Sequence, residues 1–479
     1  MYTIYIKMRY VIYEPIDCNG SITKSAIIGI EKALKLHNIE YHIIRKPENI
    51  QKFDVVFCYL GSDYSGGKFA DTENCSIQLS KHIEKIENIG ATCYPNSYLM
   101  QFYENKKKLY ELFKCRNIKI PETFYVPTEK AYVMERKNIQ GILPCVIKFC
   151  YSCGSNLMDQ AFTIEELDNK LKKIYATNKG EFIIQKKIKF TKEARLSYVN
   201  DNIFHGYYRL KSSSDELSGA TYFGSLTDFN IDLEKYTNFV RNFIKKTNFY
   251  IGGIDICWEN DNLDEEPYVL EVSHYYEINP PPPDDSVPYK QFKYSAKYKS
   301  AQQFFYDLMT FKLLEFAISI ESRKIIYCDI DCTISDSELR IKKYADNYEY
   351  QKYDKVILDA VIDDSVDTLY VMFYRYKLIF ITARNSFPDG MESTKTWLLH
   401  NGFNYHAIIF TNSSEEKINF FDKEKEYVFI DDLTTNHHIL TRDDTKIIHM
   451  LDELKINYIK FDKDKNNWKH ILTSIINLL

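Results

Sequence analysis

Short apolar runs alternate with segments in which apolar residues recur every three or four positions, and this alternation continues along most of the chain. Runs of the first kind, which predict strands, occupy residues 2–13, 40–45 and 53–61. Residues 25–38 follow the second pattern, which predicts a helix. Strands that alternate with helices are typical of an α/β protein, so we predict an α/β chain with partly parallel sheets.

The middle of the chain is richer in hairpins. A helix is predicted over residues 106–117, and buried strands over 143–150 and 181–188. The stretches 194–210 and 252–273 each consist of two apolar runs separated by polar residues, so each predicts an antiparallel hairpin.

Turn-forming segments suggest where one unit ends and the next begins. The first unit ends near residue 97, where a short strand meets a Pro-Asn-Ser turn. Residues 279–288 are rich in proline, which cannot continue a helix or a central strand. A helix over 299–319 follows, and we place the main boundary near Glu321.

Composition narrows the class of protein. The 479 residues are 45% hydrophobic and 27% charged, which is enough apolar material for several cores, and the net charge of −5 disfavours a broad basic surface for nucleic acid. The eleven cysteines and the lack of a signal-peptide pattern predict free thiols and a cytoplasmic location. Residues 301–320 carry Asp307, Lys312 and Glu315, so we expect an amphipathic helix there and no membrane contact.

Acidic and hydroxyl side chains follow three buried strands in the last 160 residues. These strands end, in order, in Asp329 and Asp331, in Thr382, and in Asp431 and Asp432. Carboxyl ends of parallel strands meet at one edge of a sheet, where two close acids require a cation. Mg²⁺ accepts carboxylate oxygens, and one acid can act as nucleophile while the other acts as general acid and base.

With Lys417 between the second and third strands, this order resembles the haloacid dehalogenase-like superfamily of phosphatases over residues 323–479. The resemblance implies a Rossmann-like parallel sheet over 321–479 and an aspartyl-phosphate intermediate. It implies Asp329 as nucleophile, Asp331 as general acid and base, and Thr382 and Lys417 as phosphate ligands. The implied Mg²⁺ ligands are Asp329, Asp331, Asp431 and Asp432.

Two details qualify that resemblance. Cys332 stands where the family usually has glycine. Thr394, Trp397 and Leu398 have the spacing seen in acid phosphatases and polynucleotide-end phosphatases of the group, so a nucleic-acid substrate stays open for this domain.

A second set of candidate residues lies before the boundary. Lys148 occupies an apolar strand, where a buried ammonium group is costly without an anion, and a loop with Gly154 and Ser155 follows. A phosphate group would explain both features. Glu271, at a strand end, is expected opposite Asp255 in the second hairpin.

The order of these elements resembles the ATP-grasp superfamily over residues 1–320, especially glutathione synthetase and the ribosomal-protein glutamate ligases. The resemblance implies a Rossmann-like domain at 1–97 and a two-lobed α+β domain at 98–320 that clamps ATP. The implied reaction activates a carboxylate as an acyl phosphate, which an amine then attacks.

The same resemblance assigns roles to individual residues. The residues implied for ATP binding are Lys106 and Lys148 at the phosphates, with the loop 152–156 over them. Gln185, Lys186, Lys187 and Ile188 are implied as the adenine hinge, and Glu193 as a contact to the ribose. Arg195 and Arg209 face the transferred phosphoryl group or the substrate carboxylate. Asp255, Glu271 and Ser273 are implied for Mg²⁺, although the family usually has Asn at the last position; His274 and Asn279 are alternatives.

The leading hypothesis is a bifunctional enzyme that uses ATP and Mg²⁺, ligates a small-molecule carboxylate to an amine, and hydrolyses a phosphomonoester. One alternative is a kinase paired with the phosphatase. Another is an ATP-binding scaffold that positions an active phosphatase. The sequence decides neither the substrates nor the oligomeric state.

Overall fold

The computed structural model describes residues 8–16, 20–61, 72–151, 158–176, 181–214, 216–217, 226–284, 287–344, 351–433 and 445–479. Within them the chain has a mixed α/β architecture with four larger sheets and one two-stranded sheet. The predicted mixture of parallel and antiparallel sheets is therefore confirmed.

The first sheet contains four parallel strands from the beginning of the chain. Its elements are β1 (Tyr10–Tyr13), α1 (Ser21–Leu36), β2 (Tyr41–Ile44), β3 (Val55–Phe57), α2 (Thr72–Glu87) and β4 (Thr92–Tyr94), with strand order β2-β1-β3-β4. The strands β1, β3 and β4 are buried along their whole length, as expected for a parallel sheet covered by helices.

An antiparallel sheet of order β5-β8-β6-β7 follows two helices that lead out of the first sheet. The elements are α3 (Ser97–Met100), α4 (Lys106–Cys115), β5 (Thr123–Val126), α5 (Glu129–Gln140), β6 (Cys145–Phe149), β7 (Met158–Ala161), α6 (Ile164–Ala176) and β8 (Phe182–Lys186). Its apolar face and the helices α5 and α6 enclose a separate small core.

A second antiparallel sheet has the order β11-β10-β9-β12-β13. Its elements are β9 (Lys192–Val199), β10 (Asn202–Leu210), β11 (Leu226–Asp228), α7 (Thr237–Thr247), β12 (Ile251–Cys257) and β13 (Tyr268–Ser273). Both predicted hairpins, β9–β10 and β12–β13, are confirmed, and Asp255 pairs with Glu271 in register. After α8 (Tyr289–Lys293), the long helix α9 (Ala296–Glu321) packs along α1 and against this sheet.

The last sheet is parallel, with strand order β18-β17-β14-β19-β20. Its elements are β14 (Ile325–Cys328), β15 (Ser335–Asp336), α10 (Glu338–Tyr344), α11 (Tyr353–Val356), β16 (Ala360–Val361), α12 (Ser365–Arg375), β17 (Lys377–Thr382), α13 (Gly390–His400), β18 (Ala407–Phe410), β19 (Tyr427–Asp431), α14 (Thr445–Glu453), β20 (Tyr458–Lys460) and α15 (Trp468–Leu478). The central strand β14 lies between β17 and β19, so the three strand ends singled out in the sequence are neighbours.

The predicted helix over 299–319 is longer in the structure, since α9 begins at Ala296 and ends at Glu321. None of the described helices is both long and apolar enough to cross a bilayer.

Candidate functional sites

The first candidate site lies at the carboxyl edge of the parallel sheet. Asp329 directly follows β14, and Asp431 is the last residue of β19. The two strands are hydrogen-bonded neighbours, so both carboxylates point into the same edge region. Lys417 bridges them, because its Nζ lies 2.6 Å from Oδ1 of Asp329 and 2.7 Å from Oδ2 of Asp431.

Asp432 completes a group of three carboxylates with Asp329 and Asp431. One oxygen from each lies within 4.8 Å of the others, and all three residues are buried. Carboxylate oxygens are the ligands that Mg²⁺ prefers, so the donor set fits this ion. Among the described residues this is the only group of three His, Cys, Asp or Glu side chains with such a geometry.

Burial governs the electrostatics of this site. It raises the pKa of Asp329 to about 7; Lys417 opposes the shift, and Asp431 adds to it. Burial alone would lower the pKa of Lys417, but the carboxylates of Asp329 and Asp431 raise it above its usual range. The lysine is therefore a fixed positive charge beside the candidate nucleophile.

Asp331, also predicted as a Mg²⁺ ligand, is not a member of the three-carboxylate group. Arg384 binds it through two nitrogens, with Nε 2.8 Å from Oδ2 and Nη2 2.8 Å from Oδ1. Arg340 donates to the same Oδ1 at 2.9 Å and also contacts Asp359 at 2.7 Å. The predicted general acid and base is thus held by two buried guanidinium groups.

Thr382, the last residue of β17, is fully buried. Its Oγ1 has no hydrogen-bond partner in the described part of the chain. A buried hydroxyl without a partner is costly unless a ligand satisfies it, which agrees with the predicted contact to phosphate.

The second candidate site lies between the two antiparallel sheets. Nζ of Lys148 on β6 donates to Oε1 of Gln185 on β8 at 2.7 Å, and the Gln185 amide donates to Thr123 at 2.9 Å. Lys106, the first residue of α4, lies 3.4 Å from Oε1 of Glu271. Burial lowers the pKa of the Lys148 ammonium group, and Lys106 adds to this effect.

A cluster of two arginines and two acids occupies the adjoining strands. Arg195 binds both oxygens of Asp255 at 2.6 Å, and Nη2 of Arg209 lies 2.6 Å from Oδ2 of the same carboxylate. Nε of Arg209 lies 2.8 Å from Glu193. Burial raises the pKa of Asp255, but the two guanidinium groups outweigh it and lower the pKa to about 2.

This arrangement differs from a ready-made metal site. Both oxygens of Asp255 are engaged by arginine, the Glu271 carboxylate is 39% exposed, and Ser273 Oγ donates to the carbonyl of Tyr275 at 2.7 Å. Two of the three predicted Mg²⁺ ligands of the second site, Asp255 and Ser273, are therefore engaged by other groups of the protein. Asp255 is expected to bind a cation only after it exchanges an arginine contact.

The alternative ligands at the second site are not poised for a metal either. His274 is fully buried, and its Nε2 lies 3.3 Å from the carbonyl of Leu60. Burial lowers its pKa to about 4. The Asn279 amide donates to Tyr207 at 2.7 Å and accepts from Tyr298 at 2.9 Å.

The predicted adenine hinge is partly occupied by the protein itself. The backbone N–H groups of Lys186 and Lys187 donate to Glu122 and Pro144 at 2.8 Å. Ile188 N–H has no such bond among the described residues, so it is the hinge amide still available to a base. The predicted phosphate loop, with Gly154 and Ser155, lies outside the described residues.

The space at the second site is small. Lys148, Glu193, Arg209, Asp255 and Glu271 line a cavity of about 90 Å³. Ligand pockets are usually about 300–1,000 Å³.

Sequence reasoning missed Arg340, Asp359 and Glu104. Arg340 and Asp359 fall in a region without a motif, and only the fold brings them to Asp331. Glu104 has a left-handed φ of 49° and a buried Oε2 beside Lys106. Burial raises its pKa to about 8. Its position two residues before Lys106 was the one available signal.

No family model matches the chain, and no curated protein matches it. Several solved structures resemble about two thirds of it. D-alanine–D-alanine ligase from Bacillus anthracis, complexed with ATP, has a TM-score of 0.42 and 13% identity, over 66% of this chain and 98% of that one. A RimK domain ATP-grasp protein from Sphaerobacter thermophilus has a TM-score of 0.41 and 10% identity, over 65% of this chain and 99% of that one. D-cycloserine synthetase has a TM-score of 0.40 and 10% identity, over 63% of this chain and 99% of that one.

Proposed function

We propose that the C-terminal parallel-sheet region is a Mg²⁺-dependent phosphomonoesterase of the haloacid dehalogenase-like type. The observation that carries the proposal is Lys417, which bridges Asp329 and Asp431 beside Asp432 at one edge of the sheet. A buried cation next to a buried carboxylate suits the binding of a phosphate dianion and the attack of that carboxylate on it.

The proposed reaction has two steps. Asp329 attacks phosphorus, the P–O bond to the leaving alcohol breaks, and the alcohol oxygen takes a proton. Water then attacks phosphorus, the bond to Asp329 breaks, and inorganic phosphate leaves. Mg²⁺ held by Asp329, Asp431 and Asp432 would offset the negative charge of the phosphate. Lys417 and the Thr382 hydroxyl hold the phosphate oxygens, and Asp331 is assigned the proton transfers.

We propose that residues 1–320 use ATP in the manner of an ATP-grasp carboxylate–amine ligase. Lys106 and Lys148 bind phosphate oxygens, and Arg195 and Arg209 face the transferred group. A carboxylate oxygen attacks the γ-phosphorus and ADP leaves. The amine then attacks the acyl carbon, phosphate leaves, and the amine gives up a proton. The close placement of Lys106, Lys148 and Glu271 supports this proposal.

One observation favours the scaffold alternative. Asp255 is bound by both Arg195 and Arg209, and a carboxylate in that state is unavailable to a metal. A domain that binds ATP and releases no ADP would fit this alternative. A kinase would instead release ADP and leave phosphate on its substrate, so product analysis separates it from a ligase.

A crossed pair of variants tests the proposal. Asp329→Asn is expected to reduce p-nitrophenyl phosphate hydrolysis to background while ADP release in the presence of ATP, Mg²⁺ and a mixture of amino acids stays unchanged. Lys148→Ala is expected to reduce ADP release to background while p-nitrophenyl phosphate hydrolysis stays unchanged. Removal of one phosphate cation typically costs about 100-fold or more in rate.

Matched controls come from exposed positions. Asp464→Asn and Lys173→Ala change the same residue types on the surface and should leave both activities as in the wild type. If Asp329→Asn retained full hydrolysis, the nucleophile assignment would be wrong. If Lys148→Ala retained full ADP release, the nucleotide site would lie elsewhere.

A further inference from the structure

A cavity that is larger than the one at the second candidate site lies where the C-terminal region meets the rest of the chain. It has a volume of about 850 Å³, which is within the range of ligand-binding clefts. Its walls are the helices α2, α4 and α13. Neither proposed reaction uses this cleft, and the sequence motifs do not point to it.

Ion pairs join the walls of the cleft. Lys108 on α4 lies 2.9 Å from Glu392 on α13. Lys395 on α13 pairs with Glu84 on α2. Further contacts join the same regions outside the cleft, such as the bond from Asn248 to the carbonyl of Tyr405 at 3.0 Å.

The charges that remain available in the cleft are separated by wall. Lys81 and Lys85 lie on α2, four residues apart, and form no ion pair with any residue that the structure describes. Glu111 on α4 and Asp389 before α13 likewise have no ion-pair partner in the described ranges. The basic side chains without an ion pair thus lie on α2, and the acidic ones lie on α4 and beside α13, which suits a ligand with both charges at separated points.

Apolar surface lies among these charges. Ile77 on α2 is 40% exposed, and Phe387 and Met391 from the opposite wall are half-buried. A small sugar or a single amino acid would leave most of this surface uncovered. A nucleic acid would place uniform negative charge against Glu111 and Asp389, which is unfavourable.

The cleft adjoins both candidate sites along the chain. Asn105 and Lys107, which line it, flank Lys106 of the ATP site. Asn385, at another part of the lining, follows Arg384, which holds Asp331.

We propose that this cleft binds a short peptide with both acidic and basic side chains. The proposal stands on the cleft alone and is independent of the proposed function.

Affinity selection from a defined peptide library tests this proposal. The probe is an equimolar mixture of hexapeptides built from Ala, Ser, Phe, Lys and Glu, with bound peptides identified by mass spectrometry. The wild-type chain is expected to enrich peptides that carry both Lys and Glu. The double variant Lys81→Glu/Lys85→Glu should shift enrichment toward Lys-rich peptides by about tenfold. Asp389→Lys should shift it toward Glu-rich peptides.

Two controls make the test specific. The double variant Lys172→Glu/Lys173→Glu reverses the same charge on exposed positions of α6 and should select as the wild type does. Ile77→Trp should fill the cleft and reduce all enrichment. Thermal unfolding of each variant shows that it is folded.

Either of two results would overturn the peptide proposal: no enrichment by the folded wild type, or displacement of selected peptides by oligothymidylate. Peptide binding without p-nitrophenyl phosphate hydrolysis or ADP release would leave the cleft assignment standing and remove the proposed function. Phosphate-ester hydrolysis and ADP release without peptide binding would remove the cleft assignment and leave the proposed function standing.

Discussion

Glu321, the last residue of α9, and Lys377, the first residue of β17, form a buried ion pair. Nζ of Lys377 lies 2.7 Å and 2.8 Å from the two carboxylate oxygens. Tyr94 at the end of β4 donates to the same carboxylate at 2.9 Å, and Lys425 lies 3.1 Å from it. The carboxylate therefore links the first sheet, the long helix and the last sheet.

Removal of the lysine should destabilise the protein. Lys377→Met leaves the Glu321 carboxylate buried with Lys425 as its remaining cation, and loss of one partner of a buried pair costs about 3 kcal/mol. Urea unfolding should show this loss. Lys312→Met, which removes an exposed pair with Glu315, should cost less than about 1 kcal/mol. Equal losses for the two variants would contradict a special role for the buried pair.

The same pair predicts how stability depends on pH. Burial raises the pKa of Glu321, but Lys377 and Lys425 outweigh it and lower the pKa to about 2, below the usual 4.5. The unfolded chain then binds the proton more readily than the folded one. This contribution to stability is present above about pH 4.5 and is lost as pH falls toward 2. The unfolding free energy of Glu321→Gln should fall less steeply over that interval; an identical slope would argue against the pair.

The sequence was sufficient to predict which side chains lie at the carboxyl edge of the last sheet, for a geometric reason. Asp329, Thr382 and Asp431 each end an apolar run, and parallel pairing brings such ends together. The bonds from Arg195 and Arg209 to Asp255 depend instead on the register of three antiparallel strands, which no local pattern encodes.

Contacts between residues far apart in the sequence could not be predicted from local sequence patterns either. The sequence placed a boundary near Glu321, and its carboxylate contacts residues 56 and 104 positions later and 227 positions earlier. Arg340 reaches Asp331 through the fold of α10, not through a motif. Such contacts depend on how helices and strands pack together. The periodicity of apolar residues therefore predicts that a residue is buried, but it does not identify the residues that it contacts.

Arg340 should act as a positioning residue. It joins Asp331 to Asp359, and lysine cannot reproduce two such contacts from one planar group. Arg340→Lys is expected to lower kcat for p-nitrophenyl phosphate by about 10- to 100-fold while KM changes little, as for other residues that orient a reacting group. A rise in KM with unchanged kcat would indicate substrate contact instead. Lys342→Arg, an exposed change on the same helix, is the control.

The backbone at Cys332 has a conformation that favours glycine. Its φ is 58°, in the left-handed region, where a side chain costs about 1 kcal/mol. Cys332→Gly should therefore retain or slightly raise stability, because relief of this strain offsets the loss of the contact from Sγ to Ser337 at 3.3 Å. Thermal unfolding is the measurement. Cys332→Ala, which loses the contact and keeps the strain, should be less stable than Cys332→Gly; the reverse order would show that the thiol contact dominates.

Ser273 closes a local turn at the end of β13, since its Oγ donates to the carbonyl of Tyr275 at 2.7 Å and accepts from the Tyr275 N–H at 3.3 Å. Asparagine can accept from the same N–H in an Asx-turn, and its amide oxygen reaches further than a hydroxyl. In the proposed ATP site this oxygen would add a ligand for Mg²⁺ beside Glu271. We therefore expect Ser273→Asn to retain or raise ADP release and to lower the Mg²⁺ concentration required.

A Mg²⁺ titration of ADP release, with the phosphatase silenced by Asp329→Asn, measures the effect of Ser273→Asn. Ser273→Ala, which loses the turn and gains no ligand, is the matched variant and should require more Mg²⁺ than the wild type. Under the scaffold alternative no variant would release ADP, because Asp255 would still be bound by its two arginines. A sharp loss of ADP release in Ser273→Asn alone would mean that the serine contacts substrate, and that this strand end is aligned wrongly with the metal ligands of the family.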